Sequence, residues 1–272
     1  MLQDVERLVV GDLLAQHARF NDDFLRAGAP ALRRYARQWG GDPLKLWSRR
    51  WEYPFVGQRI VDHLSMRAGP WHVLDAGSGV TYFPYYLARR MGPPCRVTCV
   101  DSNRAYGPIF EAIDAQRPGS NVRFVAASLQ DLPLEDRSVD AVSCISVLEH
   151  TDRHDRILDQ FARVLRSGGL LALTFDLSLD GRFELSRRAA ERLLAAVGER
   201  FALRDGDDPR AMLEAVQRPD QILTTDHVRR TQPQLLPWRW PWLLSVRDVL
   251  RGRGWTGGFK SKTVFCLDVL AR

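Results

Sequence analysis

Val73–Arg90 reads VLDAGSGVTYFPYYLARR, and its texture changes twice within eighteen residues. A short apolar run leads into an acid and two glycines, and a segment of helical period follows at once. Glycine has no side chain and tolerates backbone angles closed to other residues. Asp75-Ala76-Gly77-Ser78-Gly79-Val80-Thr81 is therefore either a strand-to-helix turn that brings main-chain amides against a ligand, or a turn that needs glycine for packing alone.

The same alternation continues outward from this turn. WHVLD, CRVTCVD, NVRFVAAS, VDAVSCISV and GGLLALTFD have the length and β-branched content of strands, whereas YFPYYLARRM, NRAYGPIFEAIDAQR and RHDRILDQFARVLR have helical period. With ERFALRD as a sixth strand and KTVFCLDVLAR as the last, the pattern predicts a doubly wound α/β fold, Rossmann-like, with a seven-stranded sheet and helices on both faces. Residues 1–68, with apolar positions three and four apart, form an N-terminal helical cap. The core spans 69–205, a Trp-rich insertion spans 206–260, and the last strand, 261–272, returns to the sheet. Ligands in such sheets bind at the carboxyl ends of the strands, so the residues ending each strand are the ones to inspect.

Composition narrows the class. A chain of 272 residues, 45% hydrophobic and 26% charged, buries one sizeable core. No apolar run reaches the roughly 18 residues of a spanning helix, and acids stand in MLQDVERLVVGDLL where a signal peptide carries a basic flank. The expected location is the cytoplasm, without stable membrane insertion. Cys95, Cys99, Cys144 and Cys266 mostly fall in apolar strand-like runs and form no CxxC pair, which fits reduced core thiols. The net charge of +6 raises the question of nucleic acid. The basic residues read as scattered among acids, with Arg33–Trp51 the densest basic and aromatic segment, so an arginine-biased solvated surface is preferred to a nucleic-acid face.

A dinucleotide fingerprint needs a third glycine where this chain has Tyr82, and a pyrophosphate would be repelled by Asp75. A carboxylate there suits an ammonium group instead. VTCVDSN places Asp101 at the end of the second strand, where an acid can accept both hydroxyls of a ribose. An acid for an amine and an acid for a ribose describe S-adenosylmethionine better than NAD.

At this point the sequence resembles the class I S-adenosylmethionine-dependent methyltransferases, particularly those acting on small molecules, from about Val73 to Asp176. DAGSGVT follows the family's D/E-x-G-x-G-x-G motif, with Thr81 in place of the last glycine. AASLQDLPLEDRSVDAVSCISVLEH resembles the segment with an adenine contact, an L-P-x-x-D-x-S-x-D turn and the fourth strand. The resemblance implies S-adenosylmethionine as cofactor, held by Asp75, Ala76, Gly77, Ser78, Gly79, Thr81, Asp101 and Ser102, with Ser128 where the family often has an aspartate, Leu129 beside it, Ile145 and Ser146 near the sulfonium, and Tyr53 folded over from the cap.

Methyl transfer rests on positioning, with a base only where the nucleophile must lose a proton. His150, just past the fourth strand, is the candidate base, or else it caps the next helix or packs on the cofactor; Asp176 and His227 are reserves. Glu149, His150, Asp152, His154 and Asp155 include metal-ligating types, but Asp152 and Asp155 also suit capping of a helix starting near Arg153, and no metal is expected. Trp238, Trp240, Trp242 and Trp255 with Pro237 and Pro241 form a lid over an apolar small-molecule acceptor or a packed patch such as a homodimer surface, with a membrane-interface role, since Trp and Arg together suit headgroups, ranked below both. The expected reaction is methyl transfer to oxygen by in-line displacement, in specialised metabolism. The rivals are an RNA or protein methyltransferase and a binding protein of this fold that transfers no methyl group.

Overall fold

In the computed structural model the described residues are 12–28, 30–32, 42–181, 185–204, 207–218, 221–236, 241–250, 252 and 260–272. The parts of the expected cap and insertion outside these ranges, including Trp238, Trp240 and Trp255, lie outside the described residues.

Helix α1 (Asp12–Ala27) precedes a short turn at Pro43–Lys45 and helix α2 (Arg49–Ser65). The core then alternates: β1 (Trp71–Ala76), α3 (Phe83–Met91), β2 (Cys95–Asp101), α4 (Gly107–Asp114), β3 (Val122–Ala126), β4 (Val139–Ile145), α5 (His154–Val164), β5 (Leu165–Ser178), α6 (Arg187–Arg200) and β6 (Phe201–Leu203). Helices α7 (Pro209–Val216), α8 (Thr225–Thr231) and α9 (Pro241–Leu250) occupy the insertion before β7 (Lys262–Ala271). The strand order is β3-β2-β1-β4-β5-β7-β6, and β7 runs antiparallel to both its neighbours.

Burial on both faces explains why the central strands read as nearly continuous apolar runs. In β1, Val73 packs on one side with Phe55, Ile60, Phe83 and Leu87, while Leu74 packs on the other with Leu158, Phe161 and Leu193. Two-residue periodicity thus sends successive side chains into two separate cores. The cap helices join the first of them: α2 packs on β4, β5, β7 and α3, and its Tyr53 stacks on Phe83 at 5.0 Å between ring centres.

Glu52 and Tyr53 lie within the first turns of α2. The strand after α5 begins at Leu165 rather than at the first glycine of GGLLALTFD, so Gly168-Gly169 is an irregularity inside β5: Val139 pairs with Leu165, yet Ala141 pairs with Leu170. Gly168 has φ +68° and its carbonyl accepts a 2.6 Å hydrogen bond from Arg67 of the connection after α2, which fixes the bulge.

Candidate active site

The ends of β1, β2 and β4 and the start of α2 surround one cavity of about 380 Å³. Parallel pairing brings Asp75 into register with Cys99 on one side and Ser143 on the other. Ser143 Oγ donates to Asp75 Oδ1 at 2.7 Å. Among the described residues no cation accompanies this carboxyl, so burial pushes its pKa up to about 7, the nearby Asp101 charge adding to the effect while Ser143 opposes it. Asp75 is thus a buried acid whose natural complement is a positive group on a ligand.

The glycine turn works differently from the expectation of open amides. Gly77 and Ser78 donate their N–H groups to the Val100 carbonyl at 2.8 and 3.2 Å, and Gly79 N–H goes to Asp101 Oδ2 at 3.1 Å. The donors are spent on β2, and glycine is required for close approach. Gly77 has φ +69°, and a Cβ there would lie 2.5 Å from Val147 Cγ2. With the Asn103 N–H on Oδ1 at 2.9 Å, Asp101 is held by two backbone donors and keeps lone pairs for hydroxyl groups.

Asp75, Gly77, Ser78, Gly79, Thr81, Asp101, Ser102, Ser128, Leu129, Ile145, Ser146, Tyr53 and His150 all line the cavity. Ala76 does not: one residue beyond Asp75, it faces the opposite core with Leu74 and Cys144. His150 ends a short helical turn after β4, is exposed, and stands at the cavity rim.

Asp176 is absent from the lining. It is buried and paired with Lys262 of β7, which is why a strand-end position failed to place it on the substrate side. Burial raises the Asp176 pKa, with Glu52 adding to this while Lys262 and Arg49 oppose it. His227 lies on α8, away from the lining, its N–H capped by Thr224 Oγ1 at 3.1 Å. The metal-like group disperses. Glu149 turns inward and accepts from the Asp176 N–H at 3.3 Å, His154 Nε2 contacts the Leu148 carbonyl at 2.8 Å, and Asp155 pairs with Arg200. Neither Asp152 nor Asp155 caps α5; Thr151 Oγ1 accepts the Arg153 N–H at 3.1 Å.

The sequence reading missed Arg49 and the role of Glu52. Arg49 lines the cavity, donates to Ser146 Oγ at 2.5 Å and forms an ion pair with Glu52. Glu52 Oε1 also accepts from Ser146 Oγ at 2.5 Å and Thr174 Oγ1 at 2.6 Å. Burial works against the Glu52 charge, but Arg49 and these hydroxyls outweigh it and hold the carboxyl below its ordinary pKa. The signal present was the Arg49–Glu52 spacing of three on a helix. Their meeting with Ser146, just past β4, and Thr174, on β5, both far along the chain, was not in the spacing.

Residues 74–173 match the family described as a methyltransferase domain. The chain is 27% identical over 182 residues to methyltransferase GfsG of Streptomyces halstedii, covering 66% of this chain and 64% of that protein. It is 34% identical over 118 residues to the ubiquinone/menaquinone biosynthesis C-methyltransferase UbiE of Hahella chejuensis, covering 42% and 47%. The chain thus spans less than two thirds of the length of either relative. A candidate sarcosine dimethylglycine methyltransferase from Galdieria sulphuraria shares the fold, with a TM-score of 0.53 at 18% identity over 89% of this chain and 98% of that one. Residues 74–173 thus match a methyltransferase domain, set within a sheet of strand order β3-β2-β1-β4-β5-β7-β6.

Proposed function

We propose that this protein is an enzyme that transfers the methyl group of S-adenosylmethionine to a small-molecule acceptor, at oxygen, by in-line displacement. The observation that carries the reading is the pair of acids at the ends of adjacent strands, both lining one cavity: Asp75, buried with no cation beside it among the described residues, and Asp101, pinned by two backbone donors. The residues present fit the cofactor. Asp75 would hold its ammonium group and Asp101 its ribose hydroxyls, and Gly77 and Gly79 line the same cavity. Ser128 and Leu129 would border the adenine, and Tyr53 and Thr81 the methionine end, with Ile145 and Ser146 beside the sulfonium. When bound, the cofactor supplies an already activated methyl group. The work left to the chain is orientation, exclusion of water and removal of one proton. His150, at the exposed rim, accepts that proton from the acceptor hydroxyl. The division into a 1–68 cap, a 69–205 core, a 206–260 insertion and a 261–272 strand, a cytoplasmic location and a place in specialised metabolism belong to the same reading; the four cysteines, all buried free thiols, agree with a reducing compartment.

Calorimetric titration with S-adenosylmethionine, S-adenosylhomocysteine and NAD, on wild type and Asp101→Ala, tests it. The first two bind wild type in the micromolar range, NAD does not, and the substitution weakens binding at least tenfold. NAD binding alone would overturn the assignment.

A further inference from the structure

Helix α9 shows the surface a contradictory face: Trp242, Leu243, Val246, Val249 and Leu250 are all exposed, Leu250 to 82%, while Ser245 is buried. Spaced at i, i+1, i+4, i+7 and i+8, they form one apolar stripe along the helix. Apart from Leu46 and Met66 they are the large exposed hydrophobic residues among those described. The helix does not close over the cavity, for among the described residues none from the insertion lines it.

The charge distribution says what covers this stripe. Residues 229–260 contain Arg229, Arg230, Arg239, Arg247, Arg251, Arg253 and Lys260 against the single acid Asp248, a net +6; the remainder of the chain has 32 basic and 32 acidic residues. The whole positive excess therefore sits in the segment that carries α9, which corrects the reading of a basic charge scattered over the chain. The same segment holds Trp238, Trp240, Trp242 and Trp255, four of the eight tryptophans. A second copy of this chain meeting the stripe through a two-fold axis would set +6 against +6 at close range, which disfavours self-association. An apolar helical stripe within a basic, Trp-rich segment is instead matched by a bilayer bearing anionic headgroups, where the apolar side chains enter the acyl boundary and the cations face phosphate.

We infer that α9 is a peripheral membrane-docking element that binds reversibly to anionic lipid surfaces. The protein would then work against a membrane, with its cavity open to acceptors that partition there.

Vesicle co-sedimentation of the full chain tests this with phosphatidylcholine alone and with phosphatidylcholine containing phosphatidylglycerol. Wild type sediments with the anionic vesicles at least about tenfold more than with neutral ones, and raised salt weakens the binding. Leu243→Glu/Val246→Glu loses it by about tenfold or more while its unfolding midpoint stays that of wild type, because both side chains are exposed. Arg229→Gln/Arg230→Gln weakens anionic binding several-fold. Absence of wild-type binding to anionic vesicles, or equal binding to both kinds, overturns the inference. So does a concentration-dependent dimer in sedimentation velocity that Leu243→Glu/Val246→Glu abolishes, which would make the stripe an interface between copies.

Discussion

Replacing Asp75 by asparagine separates the cost of this acid from its use. In the free protein the carboxyl is buried with one hydroxyl donor, and its pKa rises from 3.8 to about 7. At 1.36 kcal/mol per pKa step this corresponds to about 4 kcal/mol of destabilisation once the group is charged. The sign follows from proton binding: the native state keeps a proton that the unfolded chain has released, so stability is lost as pH rises from about 4 through about 7 and then levels off. The asparagine side chain is neutral throughout and can still accept from Ser143. The Asp75→Asn variant is therefore more stable than wild type by up to about 4 kcal/mol at about pH 8, and nearly equal to it at about pH 4. Ligand binding runs the other way. An ammonium group needs the charged carboxylate, so S-adenosylmethionine affinity of wild type rises about tenfold per pH step up to about 7 and flattens above. In Asp75→Asn the affinity falls and its pH dependence disappears. Urea unfolding at several pH values and calorimetry over the same range measure both effects. A variant no more stable than wild type on the alkaline side, or a wild-type affinity flat in pH, would refute the reasoning from burial.

The other outcomes concern a histidine in the cap and one at the rim. His17 is fully buried, bonded to Tyr82 Oη at 2.9 Å through Nδ1 and tilted over Tyr86 at 4.0 Å, with Nε2 lacking a partner among the described residues. Burial lowers its pKa to about 3, so the unfolded chain binds the proton first and stability is lost as pH falls below about 6.5. His17 contributes about 2 kcal/mol of the loss between about pH 7 and pH 5, and His17→Gln, in urea melts at the two values, shows a smaller drop than wild type by that amount. His150→Ala, assayed by S-adenosylhomocysteine release on a panel of phenolic and aliphatic alcohols, lowers kcat by about 10²–10⁴. Its cofactor affinity stays within about threefold of wild type, and unchanged kcat removes His150 as the base.

The order of strands and helices was legible because both faces of the sheet are covered. That burial writes short β-branched runs and amphipathic helices into the chain, and the glycine turn marks where the first strand ends. The acids at 75 and 101 follow from the same logic, since a strand end in a parallel sheet is a fixed place. Other features depended on contacts between distant residues, which leave no trace in local spacing. Whether a strand-end acid faces the cavity or a cation is one: Asp75 meets Ser143, whereas Asp176 meets Lys262 from the antiparallel β7. The turn amides are another, consumed by Val100 and Asp101 rather than held open. Arg49 and Glu52 reach Ser146 and Thr174 only because α2 packs across β4 and β5. The excess charge within 229–260 was misread as scattered, and it drew notice only once the tertiary structure left the α9 stripe outside both cores. Local sequence sets which backbone path is cheapest, while desolvation and partner choice are settled by what the fold brings alongside.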